Sequence, residues 1–448
     1  MALRHAGAMQ AALAATLVFG AASAYALTYP GAAPCNTTLQ ACVTAAAAGD
    51  TIDIATNTPI AEFVDIDKSL TIQAAAGFTP QVQFFFTAVA NVSKDVTVRG
   101  MAGGGGVRGI VAPGGGSLVL RVQDNTFAAG NSSSAITIDT NFIAGVYGTA
   151  TLIATGNVIT VTGGAFSCVS GISAVTTGPT TLDATISGNR ISLSDLSQCG
   201  GIEAVVGAAG GGRVLIERNL IFGHDFDFGI VWRHFGANVG DPTFTFDGQI
   251  VNNLIIGQNG NTGAPAGIVA SADGNNAKLR GAIVNNTVVL GRLGILISAR
   301  VDLGASIEAT IANNLVALNS LRDIGIDPAL TLVSNDHNFV SAIGDELVPG
   351  PGTRVGNAAF VNPSAVGGDF HLTAASLAID AGRDDALDPA FTTDLDGGPR
   401  RIGRIDIGAL ESPFAAPVPP IPASVPLAVF LLCAAIGVLA RGRLATKR

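Results

Sequence analysis

The stretch that decides the fold is Val214, Leu215, Ile216, Glu217, Arg218, Asn219, Leu220, Ile221, Phe222, followed after a short polar passage by Gly229 and Ile230. A short β-branched run leads into an Asn, an apolar residue follows the Asn, and a small residue with Ile comes soon after. These marks recur. The Asn stands at Asn125, Asn157, Asn189, Asn219, Asn253, Asn286, Asn314 and Asn338, at intervals of 32, 32, 30, 34, 33, 28 and 24 residues. The second mark follows the first seven as Ala135 and Ile136, Gly171 and Ile172, Gly201 and Ile202, Gly229 and Ile230, Gly267 and Ile268, Gly294 and Ile295, Gly325 and Ile326. A fixed period near thirty residues is the signature of a solenoid. Helical repeats would need long 3.6-periodic stretches, whereas these units alternate, as in Ile307, Ala309, Ile311 before Asn314, and are punctuated by Gly and Asn. Three short strands per unit describe an all-β parallel β-helix, a single-stranded solenoid. With units about 4.8 Å apart, seven intervals make a rod of roughly 34 Å. Asn suits the recurring corner because it tolerates the left-handed conformation and its amide can stack in a ladder. The Ile marks are expected to stack inward.

Composition agrees with one long repetitive domain. The 448 residues are 48% hydrophobic and 13% charged with 57 Gly, against roughly 25% charged and 7% Gly in an average chain. So apolar a chain is not disordered. Once Arg4 and the terminal Arg441, Arg443, Lys447 and Arg448 are set aside, 19 Lys and Arg face 33 acids, about −14 for the body. That charge excludes nucleic acid as a partner and disfavours unaided binding of polyanionic sugars.

Both ends read as export and attachment signals. Arg4, the apolar Met9 to Ala22 and the small-x-small Ala24, Tyr25, Ala26 form a signal peptide over residues 1–26, with a mature start near Leu27. At the other end Pro417, Pro419, Pro420 and Pro422 lead into the apolar run Val425 to Ala440 and then to Arg441, Arg443, Lys447 and Arg448. A basic end keeps the tail inside, so the C-terminal run reads as a transmembrane helix and the body is exported to the cell surface. Four cysteines remain in the exported body, Cys35 with Cys42 and Cys168 with Cys199. An even count in an oxidising compartment suggests disulfides. Cys168 and Cys199 fall near the same angular position on adjacent coils, which places a bridge between neighbouring coils.

Leu39, Cys42 and Val43 stand at helical spacing within Asn36 to Ala48, with Thr37 or Thr38 as cap and Gly49 closing the helix. With Asp50 to Ile54 and Ser69 to Ile72 after it, this region resembles secreted right-handed parallel β-helix proteins of pectate-lyase-like architecture, in which a short N-terminal helix plugs the coil. An open end would leave strand edges unpaired. Phe370, His371, Leu372, then Ala378 to Gly382, Asp394 to Gly397, Arg400, and Asp406 to Ala409 with Glu411 resemble the terminal block of bacterial "choice-of-anchor Q" β-helix proteins. That resemblance implies an exported, anchored β-helix and no single reaction. The tail resembles PEP-CTERM sorting signals of the VPLPA-like kind, here Val418, Pro419, Pro420, Ile421, Pro422, Ala423. It differs by an extra residue and lacks the usual Glu, and it implies an exosortase-like processing enzyme, with a plain single-span anchor as the alternative. The expected organisation is a signal peptide (1–26), an N-terminal cap with the first coils (27–120), β-helix repeats (121–345), the C-terminal block (346–412), a Pro-rich linker (413–424) and the tail (425–448).

Reactive side chains are densest on one coil, at Arg218, His224, Asp225, Asp227, Trp232, Arg233 and His234, which include the only Trp and two of the five His. An aromatic plane beside Arg and Asp can hold a sugar ring. A cation beside a base is also what uronate β-elimination requires. The competing reading is a set of solvated loop ends. Only four Lys exist, Lys68, Lys94, Lys278 and Lys447, so a Lys base has few candidates. Asp225 and Asp227 form one weak carboxylate pair. No Gly-x-Ser-x-Gly elbow or Cys/His zinc pattern occurs. No cofactor is expected unless Asp394 and Asp396 offer oxygens to Ca²⁺, and a hydrogen-bonded acidic turn is the stronger reading there. No catalytic residue can be assigned. The sequence therefore favours a non-catalytic, surface-anchored β-helix that presents an elongated face to carbohydrate or extracellular matrix. A polysaccharide lyase or glycoside hydrolase acting on an extracellular polysaccharide is the alternative.

Overall fold

The structure is a computed structural model that describes residues 26–416 apart from 131–132, 141–146, 163–168, 195–199, 208–209, 224–226, 237–243, 258–265 and 342–349. From Lys94–Arg99 to Ser306–Ala312 each coil lays one strand into each of three parallel sheets. On the central coil these are Gly211–Glu217 in the first sheet, Leu220–Gly223 in the second and Phe228–His234 in the third; Thr245–Val251 then returns to the first. The sheets contain 12, 10 and 10 strands. Among the described residues every pairing within them is parallel, so the chain is a parallel β-helix. Twelve first-sheet strands at about 4.8 Å give a rod of roughly 53 Å, longer than the Asn marks imply. The extra length comes from coils before Asn125, where buried Met101 occupies the corner and donates its N–H to Asn125 Oδ1.

All eight marked Asn residues form one buried ladder. Asn253, for example, accepts the Asn219 N–H and Nδ2 at 3.0 Å, and its own Nδ2 reaches Ile216 O at 2.9 Å and Asn286 Oδ1 at 2.9 Å. These amides satisfy backbone groups that the corner would otherwise leave unpaired. The left-handed residue is the one before each Asn, at Asp124, Gly156, Gly188, Arg218, Asn252, Asn285, Asn313 and His337, with φ between 48° and 67°. Corner and ladder are thus separate tasks on adjacent residues.

The Ile marks pair in register from Ile136 through Ile172, Ile202, Ile230 and Ile268 to Ile295. The last partner is Ile324, not Ile326. A slip of two residues keeps the same face inward, so alternation alone cannot detect it. The mark fails because buried Asp323 stands where the earlier coils place a small residue.

The N-terminal helix spans Leu39–Ala45, capped by Thr38 Oγ1, which accepts the Ala41 N–H at 3.0 Å. Its Leu39, Cys42 and Val43 are buried in the same core as Ile52 and Val64, and Cys35 is disulfide-bonded to Cys42. Cys168 and Cys199 lie outside the described residues. At the other end an antiparallel pair, Phe360–Asn362 with Asp369–Leu372, leads into a block without long strands. This block packs Ile379, Ile407 and Leu410 against Leu315 and Phe339. Among the described residues no helix is long and apolar enough to cross a membrane, and the tail 425–448 lies outside them.

Candidate functional site

The three-sheet geometry distributes the polar group of the central coil over different walls. Arg218 sits at the corner of the first and second sheets, with Nη1 3.2 Å from Thr393 Oγ1 of the C-terminal block and Nη2 3.7 Å from Glu217. Asp227 leads into the third-sheet strand, and burial pushes its carboxyl above the usual range. His224 and Asp225 lie outside the described residues.

Trp232 corrects the expectation of a sugar platform, because it points inward and is fully buried with its ring edge toward Phe246 at 6.4 Å. Room for it comes from the inward row Val214, Gly248, Gly281 of the first sheet. A Cβ at Gly248 would lie 2.4 Å from Trp232 Cε2. The lone Trp is therefore a core residue filling the gap left by Gly248. His234 is also buried, and its Nδ1 accepts the Lys278 N–H at 3.0 Å. Burial lowers its pKa against the opposing pull of the Lys278 backbone, which keeps the imidazole neutral.

Arg233 points outward from the third sheet, with Nε 2.8 Å from Ser271 Oγ and 3.1 Å from Asp273, and its guanidinium 5.5 Å from the Phe235 ring centre. Beside it, Glu203 is held above the usual carboxylate range by burial, opposed by the Ser173 hydroxyl at 3.2 Å and the Arg233 charge. Arg218 and Arg233 thus occupy different walls with a core Trp between them.

In the acidic turn of the C-terminal block, both carboxylate oxygens of Asp394 are taken by backbone N–H groups. Asp394 Oδ1 accepts the Gly398 N–H at 2.8 Å and Oδ2 the Glu411 N–H at 3.0 Å. Asp396 is 2.8 Å from His371 Nε2. Among the described residues no group of three or more His, Cys, Asp or Glu is arranged to hold a metal ion.

A site that the reactive-residue search missed lies on the outer face of the first sheet. One outward row runs in register through Asp95, Val119, Thr151, Asp183, Arg213, Asp247, Arg280 and Glu308. From Asp183 onward the charge alternates on every strand. Arg213 grips Asp183 with two bonds of 2.9 Å, and Arg280 grips Asp247 at 3.0 and 2.8 Å. These bonds raise both guanidinium pKa values further. With Thr185 and Gln249 in the next row, the ladder lines a groove of about 500 Å³. The signal was in the repeat, since Asp183, Arg213, Asp247, Arg280 and Glu308 each stand six residues before a ladder Asn.

No family model and no curated protein matches the sequence. Among solved structures the chain is similar to the crystal structure of pectate lyase Pel9A, with a TM-score of 0.37 and 13% identity over 88% of this chain and 97% of that one. The assignment of a parallel β-helix here rests on the strand pairing described above.

Proposed function

We propose that the protein is an exported, surface-anchored β-helix that holds an extracellular polysaccharide along the outer face of its first sheet without cleaving it. The observation that carries this reading is the alternating ladder from Asp183 to Glu308. It sets planar donors and acceptors at the strand pitch of about 4.8 Å, with Thr185 and Gln249 alongside. Arg213 and Arg280 are each neutralised by a bidentate carboxylate, so the face offers hydrogen bonds with little net charge. That suits a neutral, hydroxyl-rich chain. The lining of the groove contains neither Lys nor His to take a proton.

Export and anchoring rest on the signal peptide of residues 1–26, the terminal block resembling choice-of-anchor Q proteins and the PEP-CTERM-like tail. The helix Leu39–Ala45 serves as the N-terminal plug in this scheme. The test is retention of the purified protein on a panel of insoluble neutral polysaccharides, with reducing ends and unsaturated uronate absorbance followed in parallel, with and without Ca²⁺. Retention without product is the expected result. Product release would replace this reading with a hydrolase or a lyase, and no retention on any polymer would overturn it.

A further inference from the structure

A second groove opens where the C-terminal block meets the second sheet. It has a volume of about 660 Å³ and is bordered by Arg190, Arg218 and Leu220 on the β-helix side and by Asp369, His371 and Asp396 on the block side. A neighbouring hollow of about 430 Å³ shares Arg190 and Leu220 and adds Phe222. A volume of this size fits one or two sugar rings.

Arg190 distinguishes the place. Elsewhere on the β-helix surface Arg108, Arg121, Arg213, Arg233, Arg280 and Arg300 each end on an Asp carboxylate. The Arg190 guanidinium lies over the Phe222 ring, 4.5 Å from its centre. Among the described residues it makes no ion pair. Stacking fixes the plane of the fork and leaves its N–H edge free for a planar oxyanion. Arg218 adds a second cation, and its buried Nε has no hydrogen-bond partner among the described residues.

The opposite wall limits how much negative charge the groove accepts. His371 places Nδ1 2.6 Å from Asp369 and Nε2 2.8 Å from Asp396. Both ring nitrogens can donate at once only as imidazolium. Burial disfavours that charge, but the two carboxylates outweigh it and the His371 pKa is raised. The trio carries about one net negative charge, which repels a dianion, while its carboxylate oxygens can accept hydroxyl hydrogens.

We infer that this groove binds a saccharide unit bearing a single carboxylate, with the acid on Arg190 and the ring hydroxyls on Asp369 and Asp396. The inference does not depend on the first-sheet reading, since the two grooves share no residue. It also reconciles an acidic body with an acidic sugar, because one isolated carboxylate is recognised rather than a polyanion.

The experiment is a calorimetric titration of the full chain with cellobiouronic acid and with cellobiose, which differ only in the terminal carboxylate. The acid is expected to bind at least about tenfold more tightly, the scale of one charge-assisted pair. Arg190→Gln should erase the difference, and Arg190→Lys, which keeps the charge and loses the fork, should restore part of it. Arg280→Gln, which alters only the first-sheet groove, should leave the difference between the two sugars in place, so a failure here is separable from a failure of the first-sheet reading. Equal binding of the two sugars, no binding of the acid, an unaltered Arg190→Gln protein, or inorganic phosphate bound as tightly as the acid would each overturn the inference.

Discussion

The corner between the first and second sheets is built alike along the rod, yet its middle and its C-terminal third do different work. In the middle the left-handed position holds Asp124, Gly156, Gly188 and Arg218; in the three coils that follow it holds Asn252, Asn285 and Asn313, before His337 ends the series. These outer amides reach away from the core. Asn252 donates to Thr393 O at 3.0 Å, Asn285 to Asp406 O at 2.9 Å, and Asn313 to Arg383 O at 2.9 Å. The residue before each changes too. Gln123, Thr155, Ser187 and Glu217 give way to Val251 and Val284, which are buried with Leu387 and Ile405 of the terminal block. The inner Asn maintains the rod, and the outer Asn with its preceding Val docks a second layer onto it. Where the block sits is therefore written in the coils beneath it.

The sharpest way to break that comparison is to mutate adjacent residues. Asn286→Ala removes the acceptor of the Asn253 N–H and Nδ2 and the donor to Ile250 O and Asn314 Oδ1, all buried. Leaving several such groups unpaired should cost about 3 kcal/mol and lower the urea midpoint of the whole rod. Asn285→Gly keeps the φ of 56° accessible and deletes the amide's two bonds to the block together with the long 3.3 Å bond that its Oδ1 accepts from Asn313 Nδ2. Its cost should be about 1 kcal/mol, confined to faster hydrogen exchange over residues 380–412. Equal effects at the two positions would mean that rod and block unfold as one unit.

The block also differs from the rod in burying charge. Arg400 is fully buried, donating to Asp406 O and Gly408 O and lying 3.6 Å from Glu411. Burial, against the pull of Arg400, pushes Glu411 from 4.5 up to about 8. Burial likewise pushes Asp406 from 3.8 to about 6, against the Asp380 and Ser412 N–H groups. Acids raised in the folded state bind protons there that the unfolded chain has released, so their contribution falls as pH rises. Protection of the block, corrected for intrinsic exchange, should be greatest below about pH 4. It should decline from there upward, with the Asp406 contribution exhausted above about 6 and the Glu411 contribution above about 8. Glu411→Gln should shrink the upper part of that decline, leaving the part due to His371, and should not alter the exchange of the rod. A block equally protected across the range would show that Arg400 holds both acids ionised.

Much of this contrast can be read in the sequence, to differing depth. The inner Asn and the Ile marks announce the coil because each recurs at one register position. The pairs Asn252-Asn253, Asn285-Asn286 and Asn313-Asn314 stand in plain view, but only three-dimensional pairing shows that one amide faces in and the other out. The first coils, expected within residues 27–120, could not be counted from the ladder because the corner next to Asn125 is filled by Met101, without the repeating mark. Trp232 misled for a related reason. Chemical type suggests a binding platform, whereas its inward direction depends on alternation within Phe228–His234 and on Gly248 one wall away. Proximity across walls is what a linear search for reactive residues does not supply, and the grooves bordered by Arg213 and Arg190 needed it.

The smallest expected effect on stability belongs to the face proposed to bind. Arg280 and Asp247 keep 57% and 43% of their side-chain surface exposed, and exposed ion pairs contribute little to folding. Arg280→Gln should therefore leave the urea midpoint unchanged, in contrast to Asn286→Ala only six residues away. The same substitution removes a bidentate contact from the centre of the alternating ladder and should weaken retention on neutral polysaccharide several-fold. A ladder that evolved only to hold strands together would show the opposite order, with the midpoint lowered and retention unaffected. The six-residue offset between Arg280 and Asn286 then separates two functions within one coil: the residue facing the core sets the rod, and the residue facing out sets what the rod can hold.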